Sequence, residues 1–234
     1  MMIGTAPFLR TQASLLLLSG IVLLLVFEFT NLDIHVNNLF YDAQTQSFPL
    51  RHHPFMTQVM HHGLKTTMLV AGIGSIALAI WKLRQRSAGL RSRHVWVGSL
   101  GIILIPSAIA LLKRATNKHC PWSLDIYGGN IPYTGLFETH AAQFGAGQCF
   151  PAGHASGGFM LFSWAVALWI IQPKLAKCSL YLAVALGVLM GVARMMQGAH
   201  FLSHVLWTAW FSWAISMMLA AAFGIFPNQG TQGH

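Results

Sequence analysis

Six apolar runs, separated by polar and glycine-rich stretches, organise this chain. They cover about Leu15–Phe29, Leu64–Trp81, Val95–Leu112, Gly157–Ile171, Leu180–Ala193 and Leu202–Phe226. Each lies near, or a little under, the roughly 20 residues a helix needs to cross a bilayer core. The pattern predicts an all-α fold, a bundle of six transmembrane helices forming a single domain over residues 1–234. Gly72, Gly74, Gly98, Gly101, Gly187 and Gly191 fall inside or beside the runs and suit close helix approach. Gly187-x-x-x-Gly191 reads as packing within the bundle rather than as a dimer contact. The first run is longer than the apolar part of a signal peptide, and no small-residue cleavage pattern follows Glu28-Phe29-Thr30. It is expected to be a retained first helix.

Two polar connections stand out. Asn31 to Gly63 contains Pro54-Phe55-Met56-Thr57-Gln58-Val59-Met60 between His52-His53 and His61-His62. That segment is expected to be a short amphipathic helix at the membrane interface. Lys113 to Ser156 is too long for a structureless turn and is expected to be an ordered, outer-face catalytic loop. Within it Tyr127-Gly128-Gly129-Asn130 reads as a turn and Trp122 as an interface anchor. The polar tail Asn228–His234 is expected to be disordered.

Composition agrees with a membrane protein. The chain is 55% hydrophobic and 8% charged, with a mean hydropathy of +0.56, whereas soluble domains carry about 25% charged residues. The net charge of +9 would suggest nucleic acid in a soluble protein. Here its placement points to the bilayer and no nucleic acid. Lys82, Arg84, Arg86, Arg91 and Arg93 lie between the second and third runs with no acid among them. Arg10 precedes the first run, and Lys174 and Lys177 separate the fourth and fifth. The positive-inside rule makes these stretches cytoplasmic and puts both termini there. Glu28, Asp33, Asp42, Asp125 and Glu138 then fall on or near the other side. A bacterial inner (plasma) membrane is the expected location, with the site facing the periplasm or exterior. Cys120 and Cys149 share the outer loop, where a disulfide or two free thiols are both open; their place flanking the site favours the disulfide.

The candidate chemistry sits at the outer ends of the runs. Lys113 and Arg114 close the third run and Arg194 the fifth; basic residues in spans are costly to bury and are functional candidates. Pro151-Ala152-Gly153-His154 precedes the fourth run, with free amides and a glycine that allows close approach of an anion. His200 lies six residues after Arg194 and four before His204. Moving a phosphoryl group requires cations on its oxygens, a nucleophile in line and an acid for the leaving oxygen. His200 suits the nucleophile, His154 the acid, and Lys113, Arg194 and Gly153 the phosphate. A nucleophilic imidazole needs its other nitrogen held, and neutral His204 could accept that hydrogen bond. Thr116, Asn117 and His119 could contact phosphate or could be ordinary loop polarity.

These residues resemble the three motifs of the type-2 phosphatidic acid phosphatase superfamily. Lys113-x6-Cys120-Pro121, Pro151-Ala152-Gly153-His154 and Arg194-x5-His200-x3-His204 match its Lys-x6-Arg-Pro, Pro-Ser-Gly-His and Ser-Arg-x5-His-x3-Asp in order and spacing. The resemblance implies metal-independent hydrolysis of a lipid phosphate or diphosphate through a phosphohistidine, without a cofactor. A phospholipid, a polyprenyl diphosphate or a lipid A-type phosphate is the substrate class it suggests. Cys120, Ala152, Ala193 and His204 depart from the motifs. Arg114 or Lys118 could replace the missing cation, and Asp125 or Glu138 the missing carboxylate. Two alternatives remain: transfer of the phosphoryl group from lipid to lipid, and a non-catalytic lipid-binding, transport or haem-binding protein. The histidines lack facing partners inside the bundle for haem, and the paired histidines of the first loop lack the spacing of a structural zinc site.

Overall fold

The computed structural model describes residues 5–84, 90–136, 138 and 141–226. Eight α-helices occur among them: α1 (Thr5–Phe29), α2 (Leu32–Asn38), α3 (Leu64–Arg84), α4 (Leu90–Thr116), α5 (Gly153–Phe159), α6 (Phe162–Leu168), α7 (Pro173–Met196) and α8 (Leu202–Ala222). The described residues form no strand, only the isolated bridges Asp42–Ser47 and Leu124–Ile131. The tail from residue 227 and the middle of the basic loop, residues 85–89, lie outside the described residues.

Among the described residues four stretches are long and apolar enough to cross a membrane: Phe8–Phe29, Ser92–Ser123, Pro173–Met196 and Leu202–Ala222. Their length and hydropathy make the chain an integral membrane protein. The apolar part of α3, Thr66–Trp81, is shorter. The fourth apolar run is not one regular helix but α5 followed by α6, interrupted at Met160-Leu161. The interruption has one local and one tertiary cause. The Ser163 hydroxyl hydrogen-bonds the Met160 carbonyl at 2.7 Å, a side-chain bond that competes with the helical ladder. Gly158 lies directly against α7, where a Cβ would sit 2.2 Å from the Gly187 amide nitrogen.

The connection after α1 also differs from expectation. Its first part forms α2, which the hydrophobic pattern did not announce. Pro54–Met60 does not make a separate interfacial helix; a π-helical segment, Met56–Gly63, runs directly into α3. Asp125-Ile126-Tyr127 and the following glycines do form the expected turn, with Gly128 at φ 79°.

One end of the bundle is closed by apolar packing of Val97, Ala167, Met217, Ala220, Ile225 and Phe226. His94 Nδ1 pairs there with the Ala167 carbonyl, joining the start of α4 to the end of α6. Arg10, Arg93, Lys174 and Lys177 belong to the helix segments at that end. The opposite end gathers the close of α1, α4 and α7 with the starts of α5 and α8. Gly187 packs on Phe159 and Gly191 on Val205, so both glycines of that motif serve contacts within the chain.

Candidate active site

At this end the two arms of the loop between α4 and α5 are strapped together by hydrogen bonds and a disulfide. The Thr116 hydroxyl donates to the Phe150 carbonyl at 2.5 Å. Asn117 Oδ1 accepts from the Gly147 amide at 2.6 Å, and the Cys149 amide donates to the Lys118 carbonyl at 2.8 Å. A disulfide joins Cys120 to Cys149 across the same junction. Thr116 and Asn117 therefore hold the loop in shape. A second set ties that segment to α8. The Ala152 amide donates to the His204 carbonyl at 3.1 Å, and the Thr208 hydroxyl to the Ala152 carbonyl at 3.2 Å. The start of α5, which carries His154, is thus fixed beside the start of α8.

The turn between α7 and α8 is built on Gly198, whose φ of 70° favours glycine. A Cβ at that position would also lie 2.3 Å from the Phe48 ring. The Trp122 amide donates to the Gly198 carbonyl at 2.9 Å. The turn therefore sits between the loop joining α4 to α5 and the connection after α1.

His200 is 3% exposed and His204 6%. Their rings approach edge to face, with centroids 5.7 Å apart. Lys113 Nζ lies 3.3 Å from the position a Cβ would take on Gly153. Burial, and after it the charges of His204, Lys113, Arg194 and His154, hold the His200 imidazole well below its usual range. Those four groups are the electrostatic surroundings of His200, and they favour its neutral form. Arg194 donates to Gln197 Oε1 at 2.7 Å, while its buried Nε has no hydrogen-bond partner among the described residues.

A family model for the PAP2 superfamily matches residues 94–226. The chain belongs to the PAP2 superfamily. No curated protein and no solved structure gives a significant match. Membership of the PAP2 superfamily supports a phosphoric ester hydrolase acting on lipid phosphates.

Against the motif pattern of the PAP2 superfamily, five supporting residues are placed differently from expectation. His204 gives no hydrogen bond to His200. The Nδ1 atoms of both rings are buried without a hydrogen-bond partner among the described residues, and the His204 ring donates to the backbone of Cys149. Lys118 is buried, its ammonium donating to the carbonyls of Gly135 and Glu138, so its charge serves the loop. Arg114 is exposed on α4. Asp125 and Glu138 hydrogen-bond within their own loop. Asp125 is exposed and accepts from the Ile126 amide at 2.7 Å, and Glu138 from the Gly135 amide at 2.9 Å.

The carboxylate brought closest to the α8 start is Asp33, on α2. It is 5% exposed and accepts from the Ser203 amide at 2.8 Å and the Ser203 hydroxyl at 2.5 Å. It caps the start of α8 across 170 residues. Burial raises its carboxyl to about 6, although the hydrogen bonds from Ser203 oppose the rise. Asp33, Lys118, Tyr133, Ser203 and His204 line a cavity of about 40 Å³ behind His204. In the sequence Asp33 showed only as an outer-side acid; nothing marked its partner. Among the described residues no group of three or more His, Cys, Asp or Glu is placed to hold a metal ion.

Proposed function

We propose that the protein hydrolyses a lipid phosphate or lipid diphosphate at the outer leaflet, through a phosphohistidine on His200. The observation that carries the reading is the packing at one end of the bundle: a buried His200 lies beside His204 and closes the turn bonded to Arg194, while Lys113 lies against Gly153 at the α5 start that carries His154 and is bonded to α8. Lys113 and Arg194 hold the phosphate oxygens and offset the charge that develops on them. An imidazole nitrogen of His200 attacks phosphorus in line, and the bond to the leaving oxygen breaks. His154, protonated, gives its proton to that oxygen as the alcohol or lipid phosphate departs. Neutral His154 then takes a proton from water as the water oxygen attacks the phosphohistidine. Inorganic phosphate leaves, and His200 is restored.

Six membrane crossings with both termini cytoplasmic fit this reading. The run from Gly153 to Gln172 continues through the α5–α6 interruption by hydrogen bonds such as Ala165 to Leu161 and Gln172 to Leu168. At a helical rise of 1.5 Å per residue it extends roughly 30 Å, the thickness of a hydrocarbon core. The basic segments at the opposite end favour a cytoplasmic position for that end and a periplasmic or exterior position for the site.

The test is phosphate release from a detergent-solubilised panel: phosphatidic acid, phosphatidylglycerol phosphate, undecaprenyl diphosphate and a lipid A phosphate. Release by the wild type, unaffected by chelator and lost in His200→Ala, is expected. Equal release by both proteins refutes the role of His200. Loss with chelator refutes the metal-free route, and a phosphorylated lipid acceptor in place of free phosphate shows the transferase.

A further inference from the structure

The connection after α1 reaches the site with an arginine that the motif pattern does not contain. The Arg51 guanidinium carbon lies 4.7 Å from the centre of the Trp122 ring. That of Arg194 lies 5.6 Å from the centre of the same ring. Gln197, 2% exposed, joins the two residues. Its Oε1 accepts from Arg194 at 2.7 Å, and its Nε2 donates to the Arg51 carbonyl at 3.3 Å. The Arg51 amide in turn donates to the Phe48 carbonyl at 2.9 Å, and Phe48 packs on Gly198. The backbone of Arg51 is therefore held against the turn that carries His200, while its side chain is exposed.

Two guanidiniums sharing one indole repel each other, and Lys113 adds a third cation nearby. A carboxylate would ordinarily balance them, yet the chain has only five. Each is engaged elsewhere: Glu28 by the Leu136 amide, Asp33 by Ser203, Asp42 by Gln44 and Thr45, Asp125 by Ile126 and Glu138 by Gly135. The partner that would balance the cluster is an anion from outside the protein, and planar guanidiniums suit phosphate oxygens.

We infer that Arg51 is a substrate-binding residue, the outer cation of a phosphate site whose inner cations are Arg194 and Lys113. This rests on the proposed phosphatase reading and extends it, because Arg51 belongs to the first connection, outside the stretch that carries the three motifs. The exposed guanidinium holds phosphate oxygens of the incoming headgroup while the Trp122 ring limits where it can swing. Its contribution falls mainly on binding, since the reacting centre is surrounded by Lys113, Arg194 and His154.

Two measurements on Arg51→Ala, Arg51→Lys and Arg51→Met test it. The first is KM and kcat for the lipid phosphate that the wild type hydrolyses. The second is binding of inorganic phosphate to the full chain by calorimetry, which needs no turnover. Arg51→Ala and Arg51→Met are expected to raise KM and weaken phosphate binding about tenfold, on the order of 1.4 kcal/mol, with kcat within about threefold. Arg51→Lys should keep most of the binding. The Gln197 bond goes to the backbone of residue 51 and survives each change. Unchanged KM and phosphate affinity in Arg51→Ala overturn the inference. So does an equal loss in the lysine and alanine variants accompanied by a lowered melting temperature, which marks a stacking role only. Phosphate binding that weakens in Arg51→Ala while the wild type itself hydrolyses no lipid phosphate would leave the site standing and overturn the phosphatase reading instead.

Discussion

Asn37 Nδ2 donates to the backbone carbonyl of His200 at 3.4 Å, across 163 residues of chain. Asn37 is fully buried, and its Oδ1 has no partner among the described residues. The bond fixes the backbone of His200 while leaving its ring free to react. An Asn37→Leu substitution leaves that carbonyl without its donor, a loss worth about 1–3 kcal/mol for a buried group. The expected outcome is a fall in kcat of about tenfold or more with KM little changed, together with a lower melting temperature. Steady-state kinetics on the purified protein read the split; a rise in KM alone would show that Asn37 does not position His200.

Asp33 gives a pH signature. Its carboxyl is raised to about 6 in the folded protein from an ordinary value of 3.8, so the folded state binds the proton more tightly. Between those values the native state carries more protons than the unfolded one, and stability falls as pH rises from about 4 to 6. The shift corresponds to an effect on the order of 3 kcal/mol. Asp33→Asn should flatten that slope while retaining an acceptor for the Ser203 amide. Chemical denaturation in detergent across this pH range checks it; an unchanged slope in the variant contradicts the assignment.

Gly198 is the point where local conformation and packing coincide. Its φ of 70° and the Phe48 ring within 2.3 Å of a hypothetical Cβ both exclude a side chain. Gly198→Ala is expected to destabilise by about 1–3 kcal/mol and to displace Phe48 and the Arg51 segment. Activity should drop with it. Limited proteolysis of the connection after α1, faster in the variant, is the readout.

How much of this was legible in the sequence depends on the range of the contact. The membrane character, the helical class and the grouping of Lys113, His154, Arg194 and His200 at one end followed from hydropathy and spacing, because a helix fixes which end of a span a residue occupies. The α5–α6 interruption did not, because it depends on Gly158 meeting Gly187 in another helix. Neither α2 nor Arg51 carries a motif; their place comes from Asp33 capping α8, Asn37 reaching His200 and Gln197 holding the Arg51 carbonyl. Trp122, read as an interface anchor, lies against Arg51 and Arg194.

His204 stands where the motif pattern has an aspartate, and the buried Nδ1 of His200 is unpartnered. An aspartate introduced there would meet a buried imidazole able to donate to it and to share its charge. His204→Asp is therefore expected to raise kcat several-fold at neutral pH and above, where the carboxylate is ionised and the imidazole neutral, at some cost in stability from burying a carboxylate and losing the bond to Cys149. Parallel pH–rate profiles of the two proteins are the check. An unchanged profile would show that the unpartnered nitrogen does not limit the reaction.

The central claim is the covalent intermediate on His200. Brief mixing of the protein with a lipid phosphate carrying radiolabelled phosphorus, followed by alkaline quench and peptide mapping, measures it directly. The account predicts a label that is stable to alkali, lost in acid, located on His200 and absent from His200→Ala. A label that persists in His200→Ala or maps to another residue would contradict it, as would turnover without any labelled protein under conditions that trap phosphohistidine.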